Sequence, residues 1–168
     1  MGLPREDKDG NNWTVIQDVI TNSAENATPT TANIQAMKAF YEEFASLRAS
    51  SGLLTLGHGE EIIKRVKFHN TGSNQNVGVI VMSMDNSGSN YDASIDQNRD
   101  GLVVVVNATP TALSEFANFD ATSYTLHSIQ ATNGAKSIAH NGSENSSVTN
   151  NKLNTPAWSV AVFEKLHH

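Results

Sequence analysis

The sequence predicts a mainly β protein, an antiparallel two-sheet β-sandwich preceded by one amphipathic helix. Three observations predict it. From residue 53 onward, short β-branched runs alternate with polar, glycine-bearing stretches, the pattern of antiparallel strands and turns. Between residues 31 and 48, in contrast, Ile34, Met37, Phe40, Tyr41, Phe44 and Leu47 recur at helical spacing on one face. Charged residues make up only 17% of the chain while Asn, Ser and Thr abound, a mix suited to turns and strand surfaces rather than long solvated helices. At 168 residues the chain is long enough to bury a core without disulfide or metal staples.

Taken in order, a short helix is expected over residues 13–20, where Trp13, Ile16, Val19 and Ile20 share a face. The main helix follows over 31–48. Thr30 or Thr31 caps its start, and Ser50-Ser51-Gly52 supplies its stop. Its apolar arc is too wide for one seam, so two partners are expected: Phe40, Phe44 and Leu47 toward the sandwich, Ile34, Met37 and Tyr41 toward something else. Strands are expected at 53–56, 66–70, 77–84, 102–107, 124–130 and 158–164, with a further pair within 112–116 and 146–149 and a single helical turn at 60–65. Leu102 to Val106 reads as buried on both faces, and Trp158 as core.

Composition removes whole classes of function. Eleven Lys and Arg against seventeen Asp and Glu give a net charge of −6, so no basic surface is available for phosphates and nucleic acid is not an expected partner. Cysteine is absent, which excludes thiolate chemistry and disulfides. The longest apolar run, Leu102 to Val106, is far below the roughly 18 residues of a membrane span.

The chemistry-bearing patterns are weak. Asp96, Asn98 and Asp100 open a D-x-N-x-D-G stretch of the kind that wraps calcium, but position twelve is Asn107 rather than a bidentate Glu, and the alternative is a hairpin loop of Asx turns. No other cofactor or metal centre is expected. The histidines outside the tail do not stand at ligand spacing, and no G-x-S-x-G elbow is present. Glu42-Glu43 and Glu60-Glu61 are adjacent pairs, which diverge by about 100° on a helix and read as solvated faces. Trp13, Trp158, Tyr91 and Tyr124 are the candidates for a sugar-stacking platform.

The stretch EEIIKRVKFHNTGSNQNVGVIVMSMDNS, followed by DGLVVVVNATP, resembles the C-terminal domain of bacterial pullulanase-type α-1,6-glucosidases. Val66-Lys67-Phe68-His69-Asn70-Thr71-Gly72 and Val79-Ile80-Val81-Met82-Ser83 carry most of that likeness, and Gly2-Leu3-Pro4 and residues 40–51 agree with it in order. The sequence departs from the family at Gly52, usually proline, and at Thr55, usually arginine. The resemblance implies that residues 1–51 are the last loop and helix of a (β/α)₈ catalytic barrel and residues 52–168 the C-terminal sandwich. It implies no catalytic residue in this chain; Gly2, Leu3 and Pro4 alone would border the substrate cleft. The implied role is to stabilise the barrel's last helix in a secreted, periplasmic or cell-surface debranching enzyme, with the chain's own barrel as partner. An α-glucan-binding module is the alternative, and a free-standing hydrolase a more remote third.

Overall fold

The computed structural model describes residues 6–22, 29–131 and 146–168. The chain divides into two compact units, residues 1–38 and 39–168. In the first, α1 (Glu6–Asp9) leads through a 3₁₀ turn into α2 (Trp13–Asn22), and α3 (Thr31–Ala49) begins. Both expected helices are present. Thr30 starts α3 by a reciprocal cap: its Oγ1 accepts the Asn33 N–H at 3.2 Å, and Asn33 Oδ1 accepts the Thr30 N–H at 2.9 Å. The second unit takes in Ala39 to Ala49 of α3.

In the second unit α4 (Gly59–Arg65), β1 (Val66–Phe68), β2 (Val79–Asp85), α5 (Ala93–Asp96) and β3 (Arg99–Asn107) follow in order. Then come β4 (Leu113–Phe116), β5 (Thr125–Leu126), α6 (Ser128–Ala131), β6 (Ser147–Thr149), β7 (Lys152–Thr155) and β8 (Ser159–Leu166). All pairings are antiparallel, in a five-stranded sheet of order β1-β2-β3-β8-β5 and a three-stranded sheet of order β4-β7-β6.

The period-two alternation of β2, β3 and β8 sorts their side chains onto two faces. In register, Val81, Val105 and Ala161 lie side by side on one face, with Val79, Val103 and Phe163 beside them. This face packs on Phe116, Ala121 and Leu153 of the smaller sheet's side. The opposite face carries Met84, Leu102 and Val162, and is covered by Leu47 and Phe44 from α3, by Leu53, and by Ile95 and Ile129. Leu102, Val103 and Val105 are fully buried, as expected of a strand covered on both sides.

Four expectations are corrected. Residues 53–56 form a 3₁₀ turn (Gly52–Thr55), not a strand, because the Ser51 hydroxyl accepts the Leu53 N–H at 3.2 Å and bends the chain locally. The strand expected at 124–130 stops after Leu126. The His127 N–H still bonds Val162 O at 2.8 Å, but the chain then turns into α6, which brings Gln130 to the β8 backbone: its Oε1 accepts the Val162 N–H at 2.7 Å and its Nε2 donates to Val160 O at 3.1 Å. Trp158 is 54% exposed with φ of 51°, not core, since the chain turns there into β8 while its N–H reaches Thr109 O. Glu43 is buried rather than solvated, held by the Gln130 amide at 3.1 Å. Strand β7 was not foreseen; Asn150 and Asn151, with φ of 52° and 58°, make the tight left-handed connection that pairs it with β6.

Gly52 permits a close approach of two backbone segments. A Cβ there would stand 2.2 Å from the Ile95 carbonyl oxygen, a backbone atom that cannot rotate away, whereas a Cβ at Gly57 would meet open space. Gly52→Ala should therefore lower stability by about 1–3 kcal/mol while Gly57→Ala stays near neutral, as read from urea unfolding midpoints.

Candidate functional site

The densest chemistry in the second unit lies where the end of α3 meets the five-stranded sheet. Arg99 at the start of β3 donates Nε to Glu164 Oε2 at 2.6 Å, and Nη1 to Ser50 O at 3.1 Å and to Asp96 Oδ2 at 3.3 Å. Asp96, at the end of α5, accepts the Ser51 hydroxyl and the Asn98 N–H. Glu164 also accepts the Ser128 N–H at 2.8 Å. His127, fully buried, places Nε2 3.2 Å from Ser50 Oγ and 3.5 Å from Glu164 Oε2. Four segments distant in sequence are thus joined by one polar cluster.

Serine, histidine and glutamate together invite comparison with a hydrolytic triad, but each of the three is tied to other partners in the cluster. His127 Nδ1 lies 3.2 Å from the Ile129 N–H, while Nε2 faces both the Ser50 hydroxyl and, at 3.3 Å, the Arg99 guanidinium Nη2. Ser50 in turn gives its own proton to Leu47 O at 2.7 Å. What the cluster does is fix the last turn of α3 against β3 and β8. Burial, the largest influence, pushes the His127 pKa down; Glu164 pulls it up, Arg99 lowers it again and Asp96 raises it, and the ring stays neutral. For Glu164, burial opposes ionisation most strongly, yet the Ser128 N–H and the hydrogen bond and charge of Arg99 together hold the carboxyl below its ordinary value.

The calcium candidates are not brought together. Asp96 spends both carboxylate oxygens on protein donors, Asp100 Oδ1 lies 2.6 Å from His167 Nδ1, and Asn98 is exposed. Among the described residues no group of three His, Asp or Glu could hold a metal ion. Gly2, Leu3 and Pro4 lie outside the described residues. The aromatic candidates are also dispersed: Tyr124 is packed on Phe119 with its hydroxyl pKa pushed up to about 12, mainly by burial. Tyr91 stacks on His167 beyond one end of β8, and Trp158 precedes its other end. Glu61 is tied to the buried Arg65 at 2.6 Å. His69 Nε2 lies 2.7 Å from Ser83 Oγ, and burial chiefly lowers its pKa. No helix among the described residues is long and apolar enough to cross a membrane.

The class of protein that the fold defines is a β-sandwich with a polar cluster that holds the end of a helix. Comparison gives that sandwich a family. Residues 1–166 match the family described as "Alpha-1,6-glucosidases, pullulanase-type, C-terminal". The chain is 44% identical over 166 residues to a pullulanase of Klebsiella pneumoniae, covering 98% of this chain and 14% of that protein. It is 32% identical over 116 residues to chloroplastic pullulanase 1 of Arabidopsis thaliana, covering 68% of this chain and 12% of that one. The crystal structure of apo pullulanase from Klebsiella pneumoniae superposes with a TM-score of 0.75 at 36% identity, covering 99% of this chain and 17% of that chain. This chain belongs to the pullulanase-type α-1,6-glucosidase C-terminal family, and it spans a small fraction of the length of the relatives it matches.

Two outcomes follow from the cluster. In the unfolded chain His127 titrates near its ordinary 6.5, while the fold keeps it neutral; the unfolded state therefore binds more protons, and stability falls as pH drops below about 6.5. Glu164, whose pKa is lowered, adds a second loss only as pH falls below about 4.5. Melting temperature measured from pH 8 to 5 should decline along this course, and His127→Gln should flatten the decline between pH 7 and 5. Millimolar calcium, in contrast, should leave the melting temperature unchanged, since the Asp96 oxygens are already occupied; a rise abolished by Asp96→Ala would contradict that.

Proposed function

We propose that this chain is a non-catalytic C-terminal module that stabilises the last helix of the catalytic barrel in a pullulanase-type debranching enzyme. One observation carries the reading. Helix α3 buries Leu47 and Glu43 in the β-unit, while Ile34, Met37 and Tyr41 on its remaining surface are 60%, 66% and 73% exposed. Large apolar side chains in such a row on one helix call for cover, and the length of the relatives supplies a chain to provide it. The family membership supports starch or pullulan as the substrate of the whole enzyme and Gly2, Leu3 and Pro4 as a border of its cleft. Binding of α-glucan by the module itself is the second reading, favoured by the exposed Trp158 alone.

The chain on its own should release no reducing sugar from pullulan. In a whole enzyme carrying this module, Tyr41→Lys and Met37→Lys should lower the thermal midpoint of activity loss, while each leaves the melting temperature of the 168-residue chain within about 1 °C, as exposed substitutions do. Equal losses in both contexts would place the helix face in the module's own stability and remove the proposed role.

A further inference from the structure

Among the described residues, the face of the five-stranded sheet that receives α3 is covered at only one end. Its cross-strand rows show this in order. In the row Met84, Leu102 and Glu164 every residue is buried. In the next row Val162 is buried but Met82 and Val104 are only half-buried, and Phe68, paired with Met82 on β1, is 58% exposed. In the third row Ile80 is 49% exposed, with Val106 and Val160 half-buried beside it. Six apolar side chains from four adjacent strands (Phe68, Ile80, Met82, Val104, Val106 and Val160) therefore form one strip without a charged member, continuous with the buried core under α3. Single exposed apolar residues are ordinary on a protein surface, but an in-register strip that continues a core is the unfinished half of a packing layer.

From this we infer that the strip is a second docking surface for the preceding part of the longer pullulanase-type chain, separate from the α3 face. The inference rests on the stabilising role proposed above and adds to it a contact made by the sheet itself. The relatives fix the occupant: this chain accounts for 14% of the length of one and 17% of another, so most of such a protein lies outside it. An apolar, uncharged strip calls for an apolar protein surface. An α-glucan would instead need hydroxyl-pairing groups among these side chains, and none of the six has one.

The test uses the whole enzyme carrying this module beside the 168-residue chain. Oxidative footprinting of both unmodified proteins should show Phe68 and Met82 labelled in the short chain and protected in the whole enzyme. Ile80→Lys should lower the thermal midpoint of the whole enzyme by about 2 °C or more and leave that of the short chain unshifted. Equal labelling of Phe68 in both proteins, or equal shifts by Ile80→Lys in both, overturns the inference. If Tyr41→Lys destabilises the whole enzyme while Ile80→Lys does not, the sheet contact fails and the helix role stands; if neither does, both fail. Protection of Phe68 in the short chain by maltotriose would assign the strip to sugar and overturn it as well.

Discussion

Strand β3 is apolar on both faces, and the remainder of the β-unit is arranged to cover one face and the Leu102 end of the other. A strand reading Leu102 to Val106 has no polar side to offer water, so a single sheet with one wet face cannot accommodate it. The smaller sheet covers Val103 and Val105; the end of α3, the 3₁₀ turn and α6 cover Leu102 and shelter Val104. Two dissimilar lids follow from one apolar strand. They also explain why the helix is part of this unit: without Leu47 and Phe44 the second face of β3 would lie open.

Apolar contact alone would let the helix end slide along that face. The cluster of Arg99, Glu164, Asp96, His127 and the two serines prevents this, because each hydrogen bond has one geometry and breaking any of them strands a buried polar group. Burying such groups costs desolvation that the pairing only offsets, so their effect is on position more than on net stability. A second network does the same for the 85–100 loops, where the buried Arg65 guanidinium donates to Asn86 Oδ1 at 2.8 Å and to Asp85 O at 3.1 Å. Asn86 then holds Asp96 O and Arg99 O through its amide.

The architecture was legible where periodicity is strong. Helix α3, the two-faced burial of β3 and the alternation of β2 follow from apolar spacing, and the division of α3 into a covered face and a bare one follows from the width of its arc. Short elements escaped, because in a two- to four-residue strand the partner decides more than the propensity. Lys152-Leu153-Asn154-Thr155 reads as a loop until its Asn-Asn turn is recognised, and Tyr124 to Gln130 reads as strand although Gln130 serves β8 better as a side chain. The polar cluster was invisible for another reason: Ser50, Asp96, Arg99, His127 and Glu164 have no sequence spacing in common, and only strand order brings them together. Glu43 misled in the same way, since its partner lies on α6.

Gln130 also closes an opening in the sheet. Strand β5 pairs with β8 only at Glu164 and Phe163, and beyond the His127 N–H on Val162 O no described strand borders residues 160–162 on that side. A single carboxamide, donating to Val160 O and accepting from Val162 N–H, reproduces the hydrogen-bond pair that a further strand would supply. Such a border, left bare, is a template onto which a foreign or partly folded chain can add itself. The plug occupies that template with a side chain that has no backbone to extend, so growth by strand addition is terminated at this rim. The same amide that anchors Glu43 of α3 thus serves as an insulator against self-templated assembly.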